Sequence, residues 1–106
     1  MDEFLCLTLL AQPGETEAAF KLRLTEFWTH MLRTRPDDYE GVYAEARNFD
    51  EEDGRTCRQY MVVIEAIDAV TAELTAKGVE FVEVDRDDTY NKAEASSSEW
   101  FQIPHD

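Results

Sequence analysis

Apolar and polar positions follow three rhythms along this chain, and each rhythm predicts an element. Phe4 to Leu10 is a short apolar run punctuated by Pro13-Gly14, the length and ending of a buried strand. From Glu15 to Arg35 the residues Phe20, Leu24, Phe27, Trp28, Met31 and Leu32 recur at steps of three and four, which predicts a long amphipathic helix. Glu15 and Glu17 in its first turn and Arg33 and Arg35 in its last suit the helix dipole, and Pro36 stops it. Tyr39 to Phe49 alternates Val42, Ala44 and Ala46 with Tyr43, Glu45, Arg47 and Phe49, a period of two that predicts a second strand.

The polar tip Asp50 to Gly54 and the β-branched run from Cys57 to Glu65 complete a hairpin with that strand. Ala66 to Lys77 sets Ile67, Val70 and Leu74 on one helical face, with Gly78 at the place of a left-handed cap. Val79 to Asp85 predicts a fourth strand, Arg86 to Ser98 a polar stretch, and Trp100 to Ile103 an extra C-terminal strand.

The order β-α-β-β-α-β predicts a ferredoxin-like α+β two-layer sandwich, one domain over residues 1–106, with strands ordered fourth, first, third, second. Both helices then cover one sheet face, and the other should show polar residues at alternate positions. The central strands break that rule. Leu5, Leu7 and Leu9 oppose Phe4, Cys6 and Leu10 in the first, and Val62 and Ile64 oppose Met61 and Val63 in the third. Something is therefore expected over the second face: another subunit, the terminal segment around Trp100, or a ligand. A homodimer is the foremost expectation, either face to face around a cavity or through an edge strand.

The small side of the second strand suits helix packing, so Tyr43, Glu45 and Arg47 are assigned to the open face. Following the pleat, Thr8, Gln59, Met61, Phe81 and Glu83 join them. The ligand- or partner-binding set expected from this is Tyr43, Glu45, Gln59, Met61, Glu83 and Trp100, whose rings and carboxylates suit an organic cation.

Charge narrows the partner. Twenty-four acidic residues against ten basic ones give a formal net charge of −14, which repels nucleic acid and anionic lipid and favours basic protein surfaces or small cations. The 43% hydrophobic content, with six Phe, four Tyr and two Trp, excludes a disordered acidic tail. The start Met1-Asp2-Glu3 lacks a signal's basic residues and no apolar run is long enough to span a membrane, so a cytoplasmic protein is expected. Cys6 and Cys57 read as reduced, buried small hydrophobes at opposite ends of neighbouring strands, out of reach of a disulfide.

Other candidates for chemistry carry less. His30 lies one helical turn from Glu26, the spacing of a carboxylate-oriented imidazole, but it is off the apolar stripe and reads as a solvent-facing ion pair. His105 reads as a tail residue, and two scattered histidines supply no metal set or cofactor site. The clusters Asp50 to Asp53 and Asp85, Asp87, Asp88 read as solvated loop charge without calcium-loop alternation. Ser96-Ser97-Ser98-Glu99 lacks an activating histidine, and the four glycines form no phosphate loop.

The passage Ala66-Ile67-Asp68-Ala69-Val70 through Gly78-Val79-Glu80-Phe81 resembles the helix-to-strand passage of glyoxalase and bleomycin-resistance modules. The metal-binding histidine and glutamate of those enzymes have no counterpart here at matching positions. The expected function is an acidic, non-enzymatic, dimeric binding protein for a basic protein partner, inhibitor- or immunity-like, or for a small organic cation. The alternative is a small-molecule enzyme or ligand sensor with a cavity between subunits, a dimeric barrel or glyoxalase-like module.

Overall fold

The computed structural model describes residues 3–34, 42–45, 50–52, 54–95 and 100–102. Outside them lie the predicted helix end at Arg35 and Pro36, strand residues 39–41 and 46–49 with Arg47, the 96–99 stretch, Ile103 and His105. The elements run β1 (Glu3–Leu10), α1 (Glu17–Thr34), β2 (Val42–Glu45), β3 (Asp50–Glu52), β4 (Arg55–Val63), a 3-10 turn (Ile64–Ala66), α2 (Ile67–Ala76), β5 (Glu80–Phe81), β6 (Thr89–Asn91), α3 (Lys92–Ala95) and β7 (Trp100–Gln102). This is an α+β protein with one sheet, ordered β5-β1-β4-β2-β7, and every described pairing is antiparallel. β3 extends the β2 side of β4, and β6 shares with β5 the outer edge of β1.

Local chemistry explains the helix ends. Thr16 accepts the backbone N–H of Ala19 at 3.1 Å, capping α1 before its acidic first-turn residue Glu17. α2 closes in a Schellman turn: Val79 N donates to Leu74 O (2.9 Å), Gly78 N donates to Thr75 O (3.1 Å), and Gly78 takes φ +71°. The strand expected through Asp85 breaks off after Phe81, because Asp85 folds the chain back, its side chain accepting from Asp87 N (3.0 Å) and its carbonyl from Asp88 N (3.3 Å). Pairing with β1 resumes at Thr89.

Two hydrophobic clusters lie on opposite sides of the sheet. On one, Leu5, Leu7, Leu9, Val42, Ala44, Tyr60 and Val62 meet Phe20, Leu24, Phe27, Trp28 and Met31 of α1 and Ile67, Val70 and Leu74 of α2. The predicted α1 stripe is buried apart from Leu32, which is partly buried, and the Ile67-Val70-Leu74 face of α2 is buried. On the other, Phe4, Tyr43 and Met61 meet Ala95 of α3, with Cys6, Val63, Tyr90 and Trp100 packed around them. Both cysteines are thiols outside any disulfide among the described residues; Cys6 is half-buried rather than fully buried, and it lies opposite Met61 while Cys57 lies opposite Leu10. Four residues of strand, ~13 Å, separate those two levels.

Candidate functional site

The second face is assembled in rows. Cys6 is paired with Met61 and Met61 with Tyr43, so thiol, thioether and phenol sit abreast on three strands. One row along, Thr8 pairs with Gln59 and Glu45 with Trp100, and the β2–β4 register carried one step past Ala44–Tyr60 sets Gln59 beside Glu45. Five of the six expected site residues, Tyr43, Glu45, Gln59, Met61 and Trp100, thus share one face. Glu83 does not join them. Phe81 pairs with Leu9 and packs into the helix-side core, so the expected open-face phase of Phe81 and Glu83 is corrected: the strand faces the other way and ends before the exposed Glu83.

Nor is the face an open platform. The Phe4 ring meets the Tyr43 ring edge-on at 5.7 Å, and Tyr43, Met61 and Glu45 are each less than a tenth exposed. The terminal segment, one of the covers expected from sequence, packs on this face. Tyr90 lies opposite Phe4, Ala95 has no exposed surface, and Trp100 closes the β2 side. α3 is held by a reciprocal cap in which Asn91 N donates to Glu94 Oε1 (3.1 Å) and Glu94 N to Asn91 Oδ1 (2.9 Å). Burial, reinforced by the charges of Glu45 and Asp88, pushes the Cys6 thiol above its ordinary range, so it stays protonated and weakly nucleophilic at neutral pH.

An acidic cleft lies at the opposite margin, where the chain leaves β5. It is an open hollow of ≈ 640 Å³ lined by Thr71, Phe81, Glu83, Val84, Asp85, Arg86 and Asp87. Phe81 and Val84 pack against the helix-side core and give it an apolar floor; Glu83, Asp85 and Asp87 are exposed at its rim. The cation in the lining, Arg86, is held by Asp68 of α2, its Nη2 2.6 Å from Oδ1. Arg55, nearby on the sheet, pairs with Glu80 at 3.0 Å. The rim keeps its negative field. Asp85 and Asp87 read in the sequence as loop charge and Glu83 as part of the open-face set; the aspartate turn after a truncated strand is the signal that they border a hollow.

A smaller groove of ≈ 280 Å³ between the helices is lined by Arg23, Glu26, Phe27, His30, Lys77 and Val79. His30 reaches across it, Nε2 lying 3.7 Å from Glu73 Oε1 of α2; the expected pairing with Glu26 is replaced by this bridge between helices. Arg23 donates to both oxygens of Glu15, Nε to Oε2 at 2.9 Å and Nη2 to Oε1 at 2.8 Å, and holds that carboxyl below its ordinary range. Among the described residues no three His, Cys, Asp or Glu side chains converge as a metal set, and no helix is long and apolar enough to cross a membrane. Comparison with protein-family models, curated proteins and solved structures finds no match for the chain.

Proposed function

We propose that this is a ferredoxin-like binding protein that recognises a basic protein surface, seating a lysine or arginine side chain in the acidic cleft. The β5-β1-β4-β2 order, with both long helices packed on one sheet face, supports the fold. One observation carries the function: the cleft joins an apolar floor, Phe81 and Val84, to a rim of Glu83, Asp85 and Asp87, while its own Arg86 is committed to Asp68. A long basic side chain has that same division, an aliphatic stem and a charged head. The −14 net charge adds steering toward such a partner.

The alternative, a catalytic or sensing cavity between subunits, has less support. Tyr43 and Met61 are already buried under the chain's own terminal segment, and Glu83 lies away from Glu45 and Gln59.

A short oligolysine peptide is the probe. Calorimetric affinity is expected to fall about tenfold for Glu83→Gln/Asp85→Asn/Asp87→Asn, and to weaken between about 50 and 300 mM salt. The control Glu26→Gln/Glu51→Gln/Glu65→Gln removes equal charge at exposed positions elsewhere and is expected to lose much less. Equal losses in the two triple variants would reduce the cleft to bulk charge and sink the proposal.

A further inference from the structure

β5 ends the sheet on its side, in the order β5-β1-β4-β2-β7. Val82 N donates to Thr8 O of β1 at 2.9 Å, and Phe81, one residue back, lies opposite Leu9. Successive N–H groups of a strand point to opposite edges, so the N–H and C=O of Phe81 turn away from β1, toward the outside of the sheet. Among the described residues no hydrogen bond meets either group. The edge is bare at that residue, and a bare edge is a template for another extended chain. Beside it, Val82 is a large apolar side chain left exposed.

The same residue floors the acidic cleft. The Phe81 side chain packs against the helix-side core and lines the hollow with Thr71 of α2, below the rim of Glu83, Asp85 and Asp87. Residues directly opposite one another on neighbouring antiparallel strands project to the same face, with Cβ atoms about 4.5–5.5 Å apart. A residue paired with Phe81 from outside therefore lays its side chain beside the Phe81 ring, on the floor of the cleft. Bare backbone and cleft select the same residue of a partner. The two neighbours of that residue point to the other face, the side of the exposed Val82.

We propose that the basic partner adds to this sheet as an extended strand beyond β5, its backbone exchanging hydrogen bonds with the N–H and C=O of Phe81 while its lysine or arginine enters the cleft. This rests on the cleft reading above and gives the partner a defined conformation, a β-segment. Backbone pairing supplies affinity with little regard to sequence, and the cleft supplies the choice of a cation. A second copy of this edge is a poor occupant, because Glu80, Glu83, Asp85 and Asp87 of the two copies would be brought together.

Amide exchange, resolved by residue in the full chain, tests this with a blocked oligolysine peptide as the probe. Near saturation the Phe81 amide is expected to exchange at least about fivefold more slowly than in the free protein, while those of Glu80 and Val82, which already face β1, change by less than about twofold. An oligolysine methylated at every backbone nitrogen keeps the charge and the side chains and loses every donor; its affinity is expected to fall about tenfold. Methylation at alternate nitrogens leaves one edge of the peptide intact and is expected to cost less than about threefold. If oligolysine binds and Glu83→Gln/Asp85→Asn/Asp87→Asn weakens it selectively, yet the Phe81 amide exchanges as in the free protein and full methylation costs nothing, the added strand is overturned and the cleft reading stands. Equal losses from full and alternate methylation would also overturn it, since the effect would then lie in the peptide's own conformation. Equal losses in the two triple charge variants would remove the cleft and, with it, this pairing.

Discussion

The two faces of this sheet are made by the same strands and are buried by different means. Toward the helices, Leu5, Leu7 and Leu9 are entirely covered, and the layer above them is a continuous pair of amphipathic helices. Toward the terminal elements β6, α3 and β7, together the strap, burial is uneven: Phe4 and Met61 are covered, whereas Cys6, Thr8 and Gln59 on the same pleat are half-exposed. Alternation along a strand therefore distributes residues between faces without fixing how well each face is sealed. The helical layer is built from periodic sequence and closes over Leu5, Leu7, Leu9, Tyr60 and Val62 beneath it; the strap is built from short pieces, with Ala95, Tyr90 and Trp100 its described contacts with the face.

The sharpest way to break this comparison is to cut equivalent holes in both faces. Leu7→Ala is expected to cost about 3–4 kcal/mol in urea unfolding, the scale for a fully buried leucine under a layer that cannot collapse into the space. Met61→Ala, beneath a strap that can settle inward, is expected to cost about 2 kcal/mol, at the low end for such truncations, and to speed Cys6 alkylation. A cost for Met61→Ala equal to that for Leu7→Ala, with no change at Cys6, would make the second face a core like the first.

A smaller change sharpens the comparison by acting on the helix layer alone. Gly78 holds φ +71° and a Cβ built there meets nothing within 4 Å, so Gly78→Ala adds backbone strain without a clash. The expected cost is about 1 kcal/mol of global stability, measured by urea unfolding. Cys6 alkylation is expected to stay at the wild-type rate, because the Schellman turn joins α2 to β5 and does not touch the strap. A faster rate would tie the two layers together.

How legible each layer was in the sequence follows the same division. The α1 stripe, the Ile67-Val70-Leu74 face and the Gly78 cap were readable because a helix repeats its signal over several turns. The apolar residues on both sides of β1 and β4 correctly demanded a cover over the second face, but not its identity. α3 buries one residue, Ala95, and a single alanine has no periodicity. Its readable mark was the Asn91-x-x-Glu94 capping box within a stretch that otherwise looked like loop. Phe81 and Glu83 were misplaced for a different reason: a strand's faces depend on a period of two, so one step of phase exchanges them, and a two-residue strand offers no second repeat to correct the error.

Proton concentration supplies the finest probe, because it acts on the two layers from opposite ends of the pH scale. Glu15, at the entrance to α1, is held below its ordinary range by the Arg23 guanidinium and by the N–H of Gln12. A depressed carboxyl stabilises the fold above the unfolded value of about 4.3 and loses that contribution as pH falls through the lower native value. Glu15→Gln is therefore expected to cost about 0.5 kcal/mol at neutral pH, the scale of a partly exposed pair, and to differ less and less from the wild type in acid unfolding below about pH 4. On the strap side the shifts run upward. Cys6 is raised by burial first, and Tyr90 by the hydrogen bond its hydroxyl donates to Asp88 at 3.1 Å. Their contribution is complete below the unfolded values of about 8.5 and 10 and is lost as pH climbs through the higher native ones. Hydrogen exchange between about pH 7 and 10, corrected for the intrinsic rate, is then expected to lose protection at the β1–β6 pairing before the β1–β4 pairing. Simultaneous loss at both would mean that alkali opens the sheet as one unit, and the division between the faces would fail at its weakest point.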